Sequence, residues 1–197
     1  MSGLRLIVGL GNPGPQYERT RHNAGFDFLH ALYKQSDQAW KLDTPRFGHV
    51  ARWEQHAGQT IWLLRPSTLM NHSGRSVLAA MQFWKVAPEE TLIVHDELDL
   101  PPGTARLKFN GGHGGQNGLR DIMRVLGHGA FHRLRIGIGH PGHKEKVIAW
   151  VLSQASAQDQ YAIDTAIAHA MHVLPLALAG DFNEAMKRLH TSAQHST

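Results

Sequence analysis

Apolar positions follow two rhythms along this chain. Short, mostly apolar runs at Leu4 to Leu10 and Thr91 to Val94 have the length of buried strands. Phe47 to Glu54, Thr60 to Arg65, Thr104 to Phe109 and Arg133 to Ile138 read as further strands, with a hairpin through His56-Ala57-Gly58. Between them, apolar residues recur at helical spacing. Ala24 to Gln35 carries Phe28, Leu29, Leu32 and Tyr33 on one stripe, and Asn71 to Lys85 carries Val77, Leu78, Met81 and Trp84. Gly118 to Leu126 predicts a short helix ended by Gly127. Ser156 with Asp159 resembles a capping box that opens a helix to about Leu174. Gly180 breaks that helix, and Asp181 with Glu184 opens a last short one. Strands alternating with helices, plus a hairpin, predict an α/β fold: one domain over residues 1–190, built as a mixed twisted sheet with helices on both faces. Residues 191–197 read as a frayed tail.

The polar side chains suited to chemistry cluster in the glycine-rich breaks after strands. The first break holds Gly9-Leu10-Gly11-Asn12-Pro13-Gly14, Tyr17 and Thr20 to Gly25. The second runs from His95 through Asp96, Glu97 and Asp99 to Gly103. The third spans Gly111 to Gly118. Open α/β sheets build their sites at strand ends of this kind. Gly9 to Gly14 matches the spacing of a dinucleotide fingerprint, but that motif needs a helix starting on it, and here Pro13 and Pro15 intervene and the helix waits until Ala24. The better reading is a bent loop presenting the side-chain amide of Asn12.

Composition narrows the chemistry. The 197 residues contain no cysteine, which excludes thiolate catalysis and Cys-ligated zinc, and fits a reducing compartment. The N-terminus has no signal-peptide pattern. The apolar stretch Tyr161 to Ala179 carries Asp164, His169, His172 and Pro175, so it reads as a packed helix rather than a bilayer span. Eight of the 20 Lys and Arg residues lie between Arg106 and Lys146, against two of the 16 acids. The rest of the chain therefore carries a slight acidic excess. A localised basic segment suits a polyanion such as a nucleic-acid backbone, and equally a solvated basic face.

His22 beside the Asn12 loop, and Asp96 past the end of its strand, can meet if those strand ends share one sheet edge. A carboxylate bonded to one imidazole nitrogen leaves the other to take a proton from water. Asn12, Asn71 and Asn117 suit ester and amide groups, although Asn71 and Asn117 could instead cap the helices they precede. No G-x-S-x-G or H-E-x-x-H motif is present. Asp96, Glu97 and Asp99 could hold Mg²⁺ at a strand end, which would make a phosphohydrolase. A non-catalytic RNA-binding module is the second reading, and the phosphohydrolase the third.

With these residues in view, the chain resembles the bacterial peptidyl-tRNA hydrolases. The similarity runs from about Leu6 to Leu189. It is densest over Val8 to Gly25, Met70 to Gly74, His95 to Gly103, Gly111 to Asp121 and Phe131 to Gly142. The resemblance implies a monomeric cytoplasmic enzyme, without cofactor or metal, that cleaves the ester between a peptide and the 3′-terminal ribose of tRNA, recycling tRNA from stalled translation. It implies His22 as the base that activates water and Asp96 as its partner. Asn12 is implied to distinguish N-blocked from free aminoacyl groups. Tyr17, Leu69, Asn71 and Asn117 are implied to contact substrate, with Met70 packed beside it. Arg106, Lys108 and Arg135 fall where basic residues meet tRNA phosphate. Leu69 stands where the family often has an aromatic, which implies a plain apolar contact rather than stacking. Gln116 stands where His is common.

Overall fold

The computed structural model describes residues 2–35, 39–54 and 58–192. Its centre is a seven-stranded mixed sheet in the order β2-β3-β4-β1-β5-β7-β6. The strands are β1 (Leu6–Gly9), β2 (Lys41–Asp43), β3 (Gly48–Glu54), β4 (Thr60–Pro66), β5 (Thr91–Glu97), β6 (Ala105–Phe109) and β7 (His132–Gly137). The four central strands, β4, β1, β5 and β7, run parallel. Antiparallel pairs close both edges. The helices are α1 (Ala24–Tyr33), α2 (Ser73–Trp84), α3 (Asn117–Leu126), α4 (Val147–Val151), α5 (Ala157–Leu178) and α6 (Phe182–Ser192).

The two most apolar runs are strands buried on both faces, as central parallel strands must be. Alternation splits them between two cores. Leu6, Val8 and Ile93 join Val77, Met81, Leu119 and Ile122 of α2 and α3. Ile7, Leu92 and Val94 join Phe28 and Leu29 of α1, Ile163 and Ile167 of α5, and Ala185 and Leu189 of α6. Helix α5 has the length and hydropathy of a membrane span. Its buried stripe (Ile163, Ala166, Ile167, Ala170, Val173 and Leu174) lies in this core. It begins as its sequence requires, with Ser156 Oγ accepting the Asp159 N–H at 3.1 Å.

Several boundaries differ from the sequence reading. Strand β5 runs on to Glu97, so Asp96 lies inside the strand and not past its end. Pairing of β5 with β7 as far as Glu97↔Gly137 carries it there. Helix α6 takes in Thr191 and Ser192, which the sequence assigned to a frayed tail. The β3–β4 hairpin pairs as expected to Glu54↔Thr60, while His56 and Ala57 of its turn lie outside the described residues. The edge strand β2 and the short α4 escape prediction because three to five residues give too little periodicity to read.

Close packing fixes the start of α1. A Cβ on Gly25 would lie 2.4 Å from the carbonyl oxygen of Val94 and 2.5 Å from the amide nitrogen of Leu10. Both are strand backbone, which does not yield as a flexible side chain would. Gly25→Ala is therefore expected to destabilise the fold by about 3 kcal/mol, the upper part of the range for overpacking. For a domain of this size that is a drop of roughly 6–12 °C in Tm by calorimetry. An unchanged Tm would mean that α1 is not seated on this backbone.

Candidate active site

The sheet changes direction of winding at β1 and β5, and the loops after these strands form the crevice that such a switch creates. After β1 the chain bends and makes a one-turn 3₁₀ helix, Arg21–Asn23, directly before α1. That turn places His22 over the end of β5. His22 Nδ1 lies 2.8 Å from Asp96 Oδ2. Both residues are buried, Asp96 to 3% exposure. A carboxylate can only accept at this pairing, so Nδ1 donates and the neutral ring keeps its lone pair on Nε2. Among the described residues no protein group bonds Nε2. The ring lines a narrow cleft of about 60 Å³ with Gln116, Asn117, Val147, Ile148 and Val151, which has room for one or two water molecules at roughly 30 Å³ each.

Burial pulls the His22 pKa down, but the charge of Asp96 and the hydrogen bond to it push it up, and the balance lies above the ordinary histidine value. A larger cleft of about 480 Å³ between α1 and α5 lies elsewhere, around Arg19, Asp27 and Asp164.

Asn12 is held from two sides. Its backbone N–H donates to Asn23 Oδ1 at 2.8 Å, and Asn23 Nδ2 returns a bond to the Asn12 carbonyl at 2.9 Å. Asn12 Oδ1 accepts the Met70 N–H at 2.7 Å. That bond fixes which end of the amide is oxygen, so Nδ2 is the free end, without an acceptor among the described residues. Met70 is buried, and its sulfur accepts from Gln116 Nε2 at 3.3 Å. Gln116 Nε2 also donates to Asp96 Oδ1 at 2.9 Å. His22, Asp96, Gln116, Met70, Asn12 and Asn23 thus form one connected network. Arg21 ties the same turn to the end of α4: its guanidinium lies 3.4 Å from the Trp150 ring centroid and donates to Ser153 Oγ at 2.6 Å.

The structure sorts the remaining predicted residues. Asn117 is exposed on the cleft wall and is the first residue of α3; the cap is Gln116, whose Oε1 accepts the Leu119 N–H. Asn71 is exposed in a 3₁₀ turn and makes no cap bond to α2. Leu69 is 49% exposed and Tyr17 half-buried. These three sit on the loops after β4 and β1, neighbouring strands, and none lines the cleft beside His22. Asp96 and Glu97 are adjacent in a strand and so face opposite ways. Asp96 bonds His22 and Gln116, whereas Glu97 accepts from Arg135 at 2.9 Å. Glu97 also borders the His22 cleft, and with Asp99 it lines a second one beside Lys108, Arg133 and Arg135. Asp99 does not line the cleft that holds Asp96, and among the described residues no three His, Asp or Glu side chains gather at metal-binding spacing.

The basic segment is smaller on the surface than in the sequence. Arg133 is buried and donates to the carbonyls of Gly111, Gly112 and Gly129, bracing the glycine-rich loop. Arg124 pairs with Asp121. Arg106 and Lys108 are exposed on the edge strand β6, with Arg106 opposite Arg135 in register. Two residues of the site escaped sequence reading. Asn23 gave no signal beyond lying next to His22, and Gln116 was noted only as standing where the family commonly has His, with no contact assigned to it.

Residues 6–197 match the family model for peptidyl-tRNA hydrolase. The chain belongs to the peptidyl-tRNA hydrolase family. The peptidyl-tRNA hydrolases of Stenotrophomonas maltophilia and Xanthomonas euvesicatoria are each 64% identical to it over 191 residues, covering 97% of this chain and 99% and 98% of theirs. The crystal structure of peptidyl-tRNA hydrolase from Acinetobacter baumannii superposes with a TM-score of 0.92 at 48% identity, covering 96% of both chains.

The charge on Asp96 is what holds the His22 pKa up, so the sign of its removal is fixed. In Asp96→Asn the burial that remains should take the His22 midpoint below the ordinary value near 6.5. In the unmodified protein the midpoint should lie above it. Imidazole titration by NMR reads both, and an unmoved midpoint in the variant would remove Asp96 as the cause.

Proposed function

We propose that this chain hydrolyses the ester joining a peptide, or an N-blocked aminoacyl group, to the 3′-terminal ribose of tRNA. The observation that carries the mechanism is the buried His22–Asp96 pair, which leaves Nε2 as an open base in a cleft at the sheet's switch point. Nε2 takes a proton from water as its oxygen attacks the ester carbonyl. The imidazolium formed faces the Asp96 carboxylate, and it returns the proton to the departing ribose oxygen. The products are a free peptide carboxylate and tRNA. Asn12 offers Nδ2 to the peptide side of the substrate, which suits selection of N-blocked groups. Asn117 contributes a second amide from the cleft wall, Met70 holds Asn12 from below, and Tyr17, Leu69 and Asn71 extend the contact surface along the neighbouring loops.

Arg106 and Lys108 meet phosphate, with Arg135 behind them. Arg135 already has Glu97 as a partner, so it contributes less charge than its position in the sequence suggests. Phosphate contacts position a substrate without reading its sequence. The enzyme works as a cytoplasmic monomer, with its catalytic parts in one domain.

His22→Ala should lower turnover of N-acetyl-aminoacyl-tRNA by about 10²–10⁴-fold, the usual worth of a positioned base. tRNA affinity should change little. EDTA should leave the unmodified enzyme's rate as it was. Near-normal turnover of the variant, or rescue by Mg²⁺ after EDTA, would overturn the reading.

Lys108→Ala should raise KM for different tRNAs about equally and spare kcat. It should also flatten the salt dependence, since one phosphate contact contributes about 0.7–0.9 to the slope of log affinity against log salt. Arg135→Ala should flatten it less. A salt slope identical to the parent's in Lys108→Ala would rule out a phosphate contact there.

A further inference from the structure

We propose that Gln116 is a positioning residue for this reaction. Its amide fixes the carboxylate of Asp96, and through it the imidazole of His22, with a donor that does not ionise. This rests on His22 acting as the base.

Hydrogen-bond chemistry settles the orientation of the Gln116 amide. The Leu119 N–H can only donate, so the atom 2.8 Å from it is Oε1. Nε2 must then be the atom facing Asp96 Oδ1 at 2.9 Å and Met70 Sδ at 3.3 Å. Its two hydrogens serve one acceptor each. With Oδ2 taken by His22, both oxygens of Asp96 are engaged, and the carboxylate cannot rotate without breaking a bond. The anchor is rigid because Gln116 caps α3, whose Gly118, Leu119 and Ile122 are buried against the sheet. A Cβ on Gly118 would meet Met70 Sδ at 2.7 Å and Leu10 Cδ1 at 2.9 Å, which shows how closely this corner is packed.

The amide also keeps the ionisation simple. A base must be neutral to act, and its partner must stay anionic. A donor that lost or gained a proton near neutrality would change the support of Asp96 over the same pH range in which His22 becomes active. Gln116 adds no such step, so the low-pH limb of the rate belongs to His22 alone.

The decisive variant is Gln116→Glu. It keeps the side-chain length and an oxygen for the helix cap, and replaces the donor to Asp96 with a second carboxylate. Ionised, the introduced carboxylate repels Asp96; protonated, it can still donate, so the support of Asp96 now depends on pH. We expect kcat to fall at least about tenfold, on the scale of a misplaced catalytic group, with KM within about twofold. The low-pH limb should move to higher pH, because the added negative charge favours the imidazolium. Gln116→His supplies a neutral N–H donor instead. It should recover much of the kcat and add a second ionisation to the profile. A cap with no role in positioning would lower Tm and leave kcat on the pH plateau unchanged.

If Gln116→Glu keeps the parent's kcat and pH midpoint while His22→Ala is inactive, the positioning role is wrong and the base reading stands. If His22→Ala is itself active, the reading beneath the proposal fails instead. Should Gln116→Glu not fold, a pH profile of Gln116→His with one ionisation and the parent midpoint would overturn the proposal by itself.

Discussion

The site is organised around one carboxylate. Asp96 is almost fully buried near the end of the central strand β5, and both of its oxygens are bonded, one to His22 and one to Gln116. A buried charge with an unpaired oxygen is costly, so the fold has to bring two donors to it. One comes from the loop after β1 and the other from the cap of α3. These segments are 74 and 20 residues from Asp96 in sequence. The demand of the carboxylate is therefore also what joins the two loops across the crevice. The bond from Gln116 to Met70, and from Met70 to Asn12, carries that connection on to the proposed substrate-binding side.

Strand β5 separates two kinds of work. Asp96 faces the α1 side and serves His22. Its neighbours His95 and Glu97 face the other way, where Glu97 meets Arg135 and the ring of His95 is fully buried. His95 donates Nδ1–H to the Asp96 carbonyl, and burial holds its pKa below the ordinary value. It therefore stays neutral while His22, raised by Asp96, titrates higher. Two histidines near one carboxylate thus have opposite proton affinities, because only one meets the charge directly while the other meets a backbone carbonyl.

The strands and helices were legible because their apolar periodicity reports burial directly. β1, α1, α2, α3 and the cap of α5 all form close to where the pattern puts them. Elements of three to five residues, β2 and α4, were not legible, and α4 matters because it walls the cleft. The extension of β5 through His95, Asp96 and Glu97 was hidden because polar residues interrupt the apolar run. Their pairing with β7 keeps them in the sheet regardless, with the two carboxylates met by His22, Gln116 and Arg135.

By itself the sequence determined the fold class, the family resemblance and the short set of side chains able to do chemistry. Residue type and local spacing carry that information. Only the tertiary structure decided which of them meet. It made Gln116 rather than Asn117 the helix cap, joined Asn23 to Asn12, and turned Asp96 and Glu97 to opposite faces. It also withdrew Arg133 from the basic surface to hold three backbone carbonyls. A count of charges cannot distinguish a cation that faces solvent from one that satisfies buried carbonyls. That difference depends on strand register and on where a loop folds back, and both are set by contacts between residues distant in the chain.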